Sequence, residues 1–148
     1  AAWRKEGCMI SVTVPIYNEV ESIPVLHERV TGVLKTIGRD WELILVNDGS
    51  KDGSTEALDR IAALDPKVKV VHLRRNYGQT AAMMAGIDFA SGEIIIPMDG
   101  DLQNDPADIA TLLPHTRTHD LVCGWRKDRH DNLTRKISSR IAKRFAAP

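Results

Sequence analysis

With 148 residues the chain suits one domain, large enough to bury about two thirds of its unfolded surface, and 43% hydrophobic with 27% charged residues is ordinary for a globular protein. Net charge is zero, which disfavours a polycationic nucleic-acid binder, yet residues 1–116 carry 11 Lys and Arg against 17 Asp and Glu, and residues 117–148 carry 9 against 3. Cys8 and Cys123 lack metal-ligand spacing and are too few for a disulfide framework, so a reducing cytoplasm is expected; no apolar run reaches the roughly 18–20 residues of a membrane span.

In chain order, residues 1–8 read as an irregular lead-in or tag remnant, 9–130 as the domain proper, and 131–148 as a basic amphipathic helix. Met9 to Pro15 favours a strand through Ile10, Val12 and Val14, broken at Pro15. A helical stretch opens at Asn18-Glu19 and runs to about Lys35. Trp41 to Val46 is a second strand, ending in the turn residues Asn47-Asp48-Gly49-Ser50, with Asp52-Gly53-Ser54 starting a helix over 55–65. Val68 to Leu73 reads as a third strand, Ala81 to Ala90 as a closely packed helix, 94–98 as a fourth strand, 107–113 as helical and Leu121 to Cys123 as a fifth strand. This alternation predicts right-handed βαβ units and a parallel sheet.

The run Ile94-Ile95-Ile96 reads as a strand buried on both faces, and it stops in Asp99-Gly100-Asp101-Leu102-Gln103. Ligands of open α/β sheets sit beyond the carboxyl ends of the strands. Two carboxylates this close repel each other unless a cation intervenes, so Asp99 and Asp101 suit Mg²⁺ or Mn²⁺, with Gln103 adding a neutral oxygen and a nucleotide diphosphate bridged by the metal. Taken alone, the same spacing also suits a solvated turn, with Asp105-Pro106 starting a helix.

Polar clusters follow the first strand (Tyr17-Asn18-Glu19) and the second (Asn47-Asp48-Gly49-Ser50) as well as the fourth. With strand order 3-2-1-4, all three rim one crevice at the reversal between the first and fourth strands. There Asp48 would accept from a base N–H, Glu19 or Asp99 would hold a ribose hydroxyl, and Asp101 the metal. Glu19 and Asp48 equally suit helix capping. No Gly-x-Gly-x-x-Gly follows the first strand, no Walker lysine loop is present, and no Ser/His/Asp or Cys/His arrangement stands out; His72, in a strand, reads as structural.

Pro15-Ile16-Tyr17-Asn18-Glu19, Asn47-Asp48-Gly49-Ser50-Lys51-Asp52-Gly53-Ser54, Arg75-Asn76-Tyr77-Gly78-Gln79 and Asp99-Gly100-Asp101-Leu102-Gln103, in this order, resemble family 2 glycosyltransferases of the GT-A fold. The resemblance is greatest to the dolichol-phosphate mannosyltransferase and bactoprenol glucosyltransferase branch, and covers about residues 9–145. It implies an α/β, Rossmann-like GT-A fold, mostly parallel with helices on both faces, whose acceptor half is truncated. It implies nucleoside binding by Pro15, Tyr17, Glu19, Asp48 and Asp99, metal and diphosphate binding by Asp99, Asp101 and Gln103, and catalysis carried by Asp99, Asp101 and Arg126. Arg126, Arg135 and Ser139 become candidates for an acceptor phosphate, a role suited to the planar arginine fork.

Leu133, Ile137, Ile141 and Phe145 recur every four residues, flanked by Arg135, Lys136, Arg140, Lys143 and Arg144. This is the pattern of an interfacial helix over 133–145, and equally of a helix packing its apolar stripe on the sheet. The expected enzyme is an inverting, metal-dependent transferase moving a sugar from a UDP- or GDP-linked donor to a polyprenyl or dolichyl phosphate, peripheral at the cytoplasmic face of an anionic membrane. A polysaccharide or protein glycosyltransferase, or a nucleotide-sugar-binding module without turnover, is the alternative. Nucleic acid is not an expected partner, because the tail offers only Trp125 and Phe145 for stacking, and an oligomer of the chain is allowed.

Overall fold

The computed structural model describes residues 7–124. Strands β1 (Ile10–Ile16) and β2 (Trp41–Asn47) form the buried centre of a sheet, β3 (Val68–His72) pairs with β2, and β4 (Ile94–Pro97) pairs with β1. All three pairings are parallel, as the alternation of elements predicts, and the order is β3-β2-β1-β4, the one under which the three polar clusters share a crevice. Ile10, Val12, Val14 and Ile16 of β1, with Leu43 and Leu45 of β2, turn one face of the sheet into the main core. Fully burying each such side chain contributes on the order of 1.5–3 kcal/mol.

Helices cover both faces. Helix α1 (Ile23–Thr36) buries Ile23, Leu26, Val30 and Leu34, three or four residues apart, in the main core. It stops before Gly38, which takes the left-handed conformation common just past a helix end. Helix α2 (Ser54–Leu64) adds Ala57 and Leu58 to that core, and α4 (Asp108–Leu112) adds Ile109. Helix α3 (Gln79–Asp88) covers the opposite face, where Ala82 packs with Ile44 and Val46. Its Gly86 lies so close to β1 that a Cβ there would meet the Thr13 Cβ at 2.9 Å, which explains the small residues of this helix.

Several expectations need correction. β1 runs through Pro15, because β4 pairs with β1 only as far as Thr13 and demands no N–H from residue 15. α1 starts at Ile23 and not at Asn18-Glu19: Asn18 is left-handed at φ 52°, residues 18–20 donate their N–H groups to another loop, and Pro24 fits the first helical turn. β4 is not buried on both faces. Ile95 is 38% exposed and Ile94 half-buried, because among the described residues β4 is an edge strand and α3 lies mainly over β1 and β2. Leu121 to Cys123 form no strand; this irregular stretch borders an apolar groove along β4 with Ile95, Pro97, Ile109 and Leu113.

Among the described residues no helix is long and apolar enough to cross a membrane. Residues 125–148, including the whole expected helix 131–148, lie outside the described residues.

Candidate functional site

The parallel register brings the carboxyl ends of β1, β2 and β4 together at the point where the strand order reverses. Ile16 is level with Asn47, the Asp48 N–H donates to the Ile16 carbonyl at 2.9 Å, and the Met98 N–H donates to the Thr13 carbonyl at 2.9 Å. Gly100 packs against the end of β1, with room for a Cβ only 3.0 Å from the Pro15 carbonyl oxygen. The three polar clusters therefore share one end of the sheet, as the topology demands.

The first two clusters are stitched to each other. The Asn18 N–H donates to Ser50 Oγ at 3.0 Å and the Lys51 N–H returns to Asn18 Oδ1 at 2.9 Å. The Glu19 N–H donates to Ser54 Oγ and the Val20 N–H to Asp52 Oδ2, both at 3.1 Å. The Ser54 hydroxyl, 2.6 Å from Asp52 Oδ1, together with the Val20 and Ser54 amides, holds the Asp52 carboxyl below its ordinary value despite partial desolvation. Asn47 supports the turn from beneath: its Oδ1 accepts from the Ser50 N–H, and its Nδ2 donates to Thr55 Oγ1 and faces His72 Nδ1 at 3.0 Å. His72 Nε2 lies 2.8 Å from Asp59 Oδ1, so this histidine is a structural spacer, as its place in a strand suggests. Tyr17 is 47% exposed at the rim, while Glu19 is half-buried and its Oε2 accepts from the Ser22 hydroxyl at 2.9 Å, just before α1.

Asp48 neither caps a helix nor faces open solvent. Only 3% exposed, it accepts the N–H groups of Tyr77 (2.7 Å) and Gly78 (2.9 Å), which clamps the loop before α3 against the end of β2. Gly49 makes that approach possible, since it sits at φ 69° and a Cβ would lie 2.4 Å from the Arg75 carbonyl carbon. The clamped loop presents Tyr77, 52% exposed, with the Arg75 guanidinium 4.9 Å from its ring centre.

At the end of β4, Asp99 Oδ1 accepts from Gln79 Nε2 at 2.7 Å, and Asp101 Oδ1 accepts from the Gln103 N–H at 3.0 Å in a local turn. Leu102 between them is left-handed at φ 59°, a costly conformation for leucine, while its side chain packs on the main core. The Oδ2 atoms of Asp99 and Asp101 have no hydrogen-bond or ion-pair partner among the described residues. Asp101 and the Gln103 side chain are exposed. No group of three or more His, Cys, Asp or Glu among the described residues could hold a metal ion alone. This donor set, two carboxylates with spare oxygens beside a neutral amide, fits a hard cation that arrives with phosphate oxygens and water better than one held by protein alone. Asp105 does start the next turn, its Oδ1 accepting from the Ala107 N–H.

Pro15, Tyr17, Glu19, Asp48, Asp99, Asp101 and Gln103 thus all belong to the strand ends at the reversal or the turns that leave them. Arg126, Arg135, Ser139 and the basic residues of 133–145 lie outside the described residues. Two features carry no assignment from sequence alone. Gln79 was visible only as the last letter of a motif. The other feature is a buried network at the opposite end of the strands: Glu42, 2% exposed, accepts from Ser11 Oγ and the Ser91 N–H at 2.6 Å each and faces Lys69 Nζ at 2.5 Å. A glutamate inside the apolar run of β2, beside a lysine inside β3, was the available signal.

Residues 11–146 match the model of "Glycosyl transferase family 2". The chain is 46% identical over 134 residues to an undecaprenyl-phosphate 4-deoxy-4-formamido-L-arabinose transferase of Pectobacterium atrosepticum, covering 88% of this chain and 41% of that protein. It is 48% identical over 134 residues to a dodecaprenyl-phosphate galacturonate synthase of Rhizobium johnstonii, covering 88% and 40%. The chain therefore spans about two fifths of the length of these relatives. Among solved structures, the mannosyltransferase PcManGT from Pyrobaculum calidifontis, in complex with GDP-Man and Mn²⁺, superposes with TM-score 0.59 at 24% identity over 74% of this chain and 32% of that one. TarS 1-349 of S. aureus in complex with UDP gives TM-score 0.55 at 22% identity over 74% and 33%. At such identities the likeness establishes a shared fold.

Proposed function

The chain belongs to glycosyltransferase family 2, and from that premise we propose that it forms the donor-binding part of an inverting transferase that moves a sugar from a nucleoside diphosphate sugar to a polyprenyl phosphate. The observation that carries this reading is the 46–48% identity to two transferases named for undecaprenyl and dodecaprenyl phosphate. The family match, over residues 11–146, contains every polar strand end at the reversal.

The chemistry suits the residues. A phosphate monoester near neutral pH is already anionic, so its oxygen attacks the anomeric carbon without a strong base. The bond from that carbon to the diphosphate breaks, and the nucleoside diphosphate leaves with the electron pair. Tyr17, Glu19 and Pro15 bind the nucleoside at the rim, and Asp48 fixes the loop that closes over it. Asp99, Asp101 and Gln103 would hold Mg²⁺ or Mn²⁺, which would offset the charge of the departing diphosphate. Arg126, with Arg135 and Ser139, receives the lipid phosphate, and the basic residues of 133–145 draw the protein to the anionic, cytoplasmic face of the membrane.

Calorimetric titration of UDP and GDP, with Mn²⁺ and in EDTA, tests the donor site. Binding that appears or strengthens with Mn²⁺ supports the reading, equal affinity in EDTA removes the metal bridge, and no binding of either nucleotide removes the donor site. Formation of a polyprenyl-phosphate sugar separates a transferase from a module that only binds. Co-sedimentation with anionic vesicles at low salt tests membrane attachment.

A further inference from the structure

Gln79 is the first residue of α3 and directly follows Gly78, whose N–H is held by Asp48. Its side-chain Nε2 reaches across to Asp99 Oδ1 at 2.7 Å. We infer that Gln79 is a positioning residue for the Asp99 carboxylate, and that the segment 77–79 ties the Asp48 end of the crevice to the Asp99 end. The inference deepens the donor-site reading above and rests on it.

Three observations support it. Asp99 stands just past the end of β4, an edge strand among the described residues, and a short hydrogen bond to a carboxylate is among the strong ones. The donor is a neutral amide: it orients the carboxylate while leaving its full charge and its Oδ2 for a cation, which a lysine or arginine in that place would neutralise. The amide is itself anchored from two sides, by the Asp48 clamp on Tyr77 and Gly78 and by the packing of Ala82 and Gly86 of α3 against the sheet. Movement of the loop at residue 77 therefore reaches Asp99 through two residues of backbone and one side chain.

The test is a double-mutant cycle with Gln79→Met, which keeps length and removes the donor, and Asp99→Asn, read as UDP or GDP affinity with Mn²⁺ and in EDTA, with melting temperature alongside. The expected result for Gln79→Met is a loss of roughly tenfold in the Mn²⁺-dependent affinity, with affinity in EDTA and melting temperature unchanged. The double variant should bind no more weakly than Asp99→Asn alone. Unaltered Mn²⁺-dependent binding by Gln79→Met, additive losses, or equal losses with and without metal together with a lower melting temperature would each overturn the inference. A wild-type chain that binds neither nucleotide removes the donor-site reading itself, and the inference with it; loss confined to the Gln79 arm leaves that reading standing.

Discussion

Asp48 and Gly78, thirty positions apart, are joined by a 2.9 Å hydrogen bond from the Gly78 N–H to Oδ2, while Oδ1 of the same carboxylate takes the neighbouring Tyr77 N–H. Each carboxylate oxygen therefore has its own backbone donor. Asp48→Asn replaces one acceptor with an NH₂ group that faces an N–H. The expected cost is about 1–3 kcal/mol in chemical denaturation, and nucleoside diphosphate affinity should fall in EDTA and fall further with Mn²⁺, because the loosened loop also carries the Gln79 contact to Asp99. Unchanged stability and affinity together would show that the clamp is dispensable.

Gly49 makes the same loop closure sterically possible, through φ 69° and the 2.4 Å approach to Arg75. Gly49→Ala should destabilise by about 1–3 kcal/mol from backbone strain alone, and by more where Arg75 cannot retreat. Because both residues hold one loop, the Asp48→Asn and Gly49→Ala losses should not add. Equilibrium unfolding of the two single variants and the double variant checks this.

Asp101 lies on the surface and contributes only a local turn bond to Gln103. Asp101→Asn should therefore leave the melting temperature nearly unchanged, because the amide oxygen still accepts, while it lowers nucleotide affinity in Mn²⁺ and has no effect in EDTA. A normal metal response in this variant, by calorimetry, would assign Asp101 to the turn alone.

Much of the scaffold was legible because its signals are local. Apolar runs at 41–46 and 68–73, each ended by turn residues, mark strands whatever lies next to them, and their alternation with helices implies the parallel order. The purpose of individual polar residues was not legible. Asp48, Asn18, Ser50 and Asp52 are residue types that cap helices, bind nucleosides and hold loops equally well, and only the fold shows which distant N–H each one meets. The exposure of Ile95 was hidden for a related reason: an Ile-Ile-Ile run records that a strand forms, but not whether a neighbour covers its far side. Gln79 was invisible as a partner of Asp99 because the pairing spans twenty residues and two elements.

Glu42 predicts an acid-side signature. Burial pushes its carboxyl up, but the Lys69, Ser11 and Ser91 hydrogen bonds outweigh burial and hold it below the ordinary carboxylate value. A carboxyl lowered in the folded state adds stability that is fully present above its unfolded value and is lost as pH falls through its folded value. The stability of the wild type should therefore drop more steeply than that of Glu42→Gln below the ordinary carboxylate range, while near neutral pH Glu42→Gln is the weaker protein. Parallel acid limbs in denaturation curves taken from neutral pH downwards would falsify this account.

Thr13 carries a fully buried hydroxyl with no hydrogen-bond partner among the described residues, on the face of β1 that meets Gly86. Thr13→Val keeps the branched shape and removes the stranded oxygen, so a gain of up to about 1 kcal/mol is expected in thermal or chemical denaturation. A loss would show that the hydroxyl finds a partner in solution.

The reciprocal hydrogen bonds between residues 18–20 and 50–54 turn two remote stretches of sequence into one mechanical piece. A chimera that imports only the first stretch from a relative would set its amides against side chains shaped for other partners, and importing only the second would fail in the same way. Under the donor-site proposal, reprogramming which nucleotide the crevice prefers is then a matter of exchanging both stretches as a matched cassette. Single replacements at the rim will tune such a cassette only after it has been moved whole.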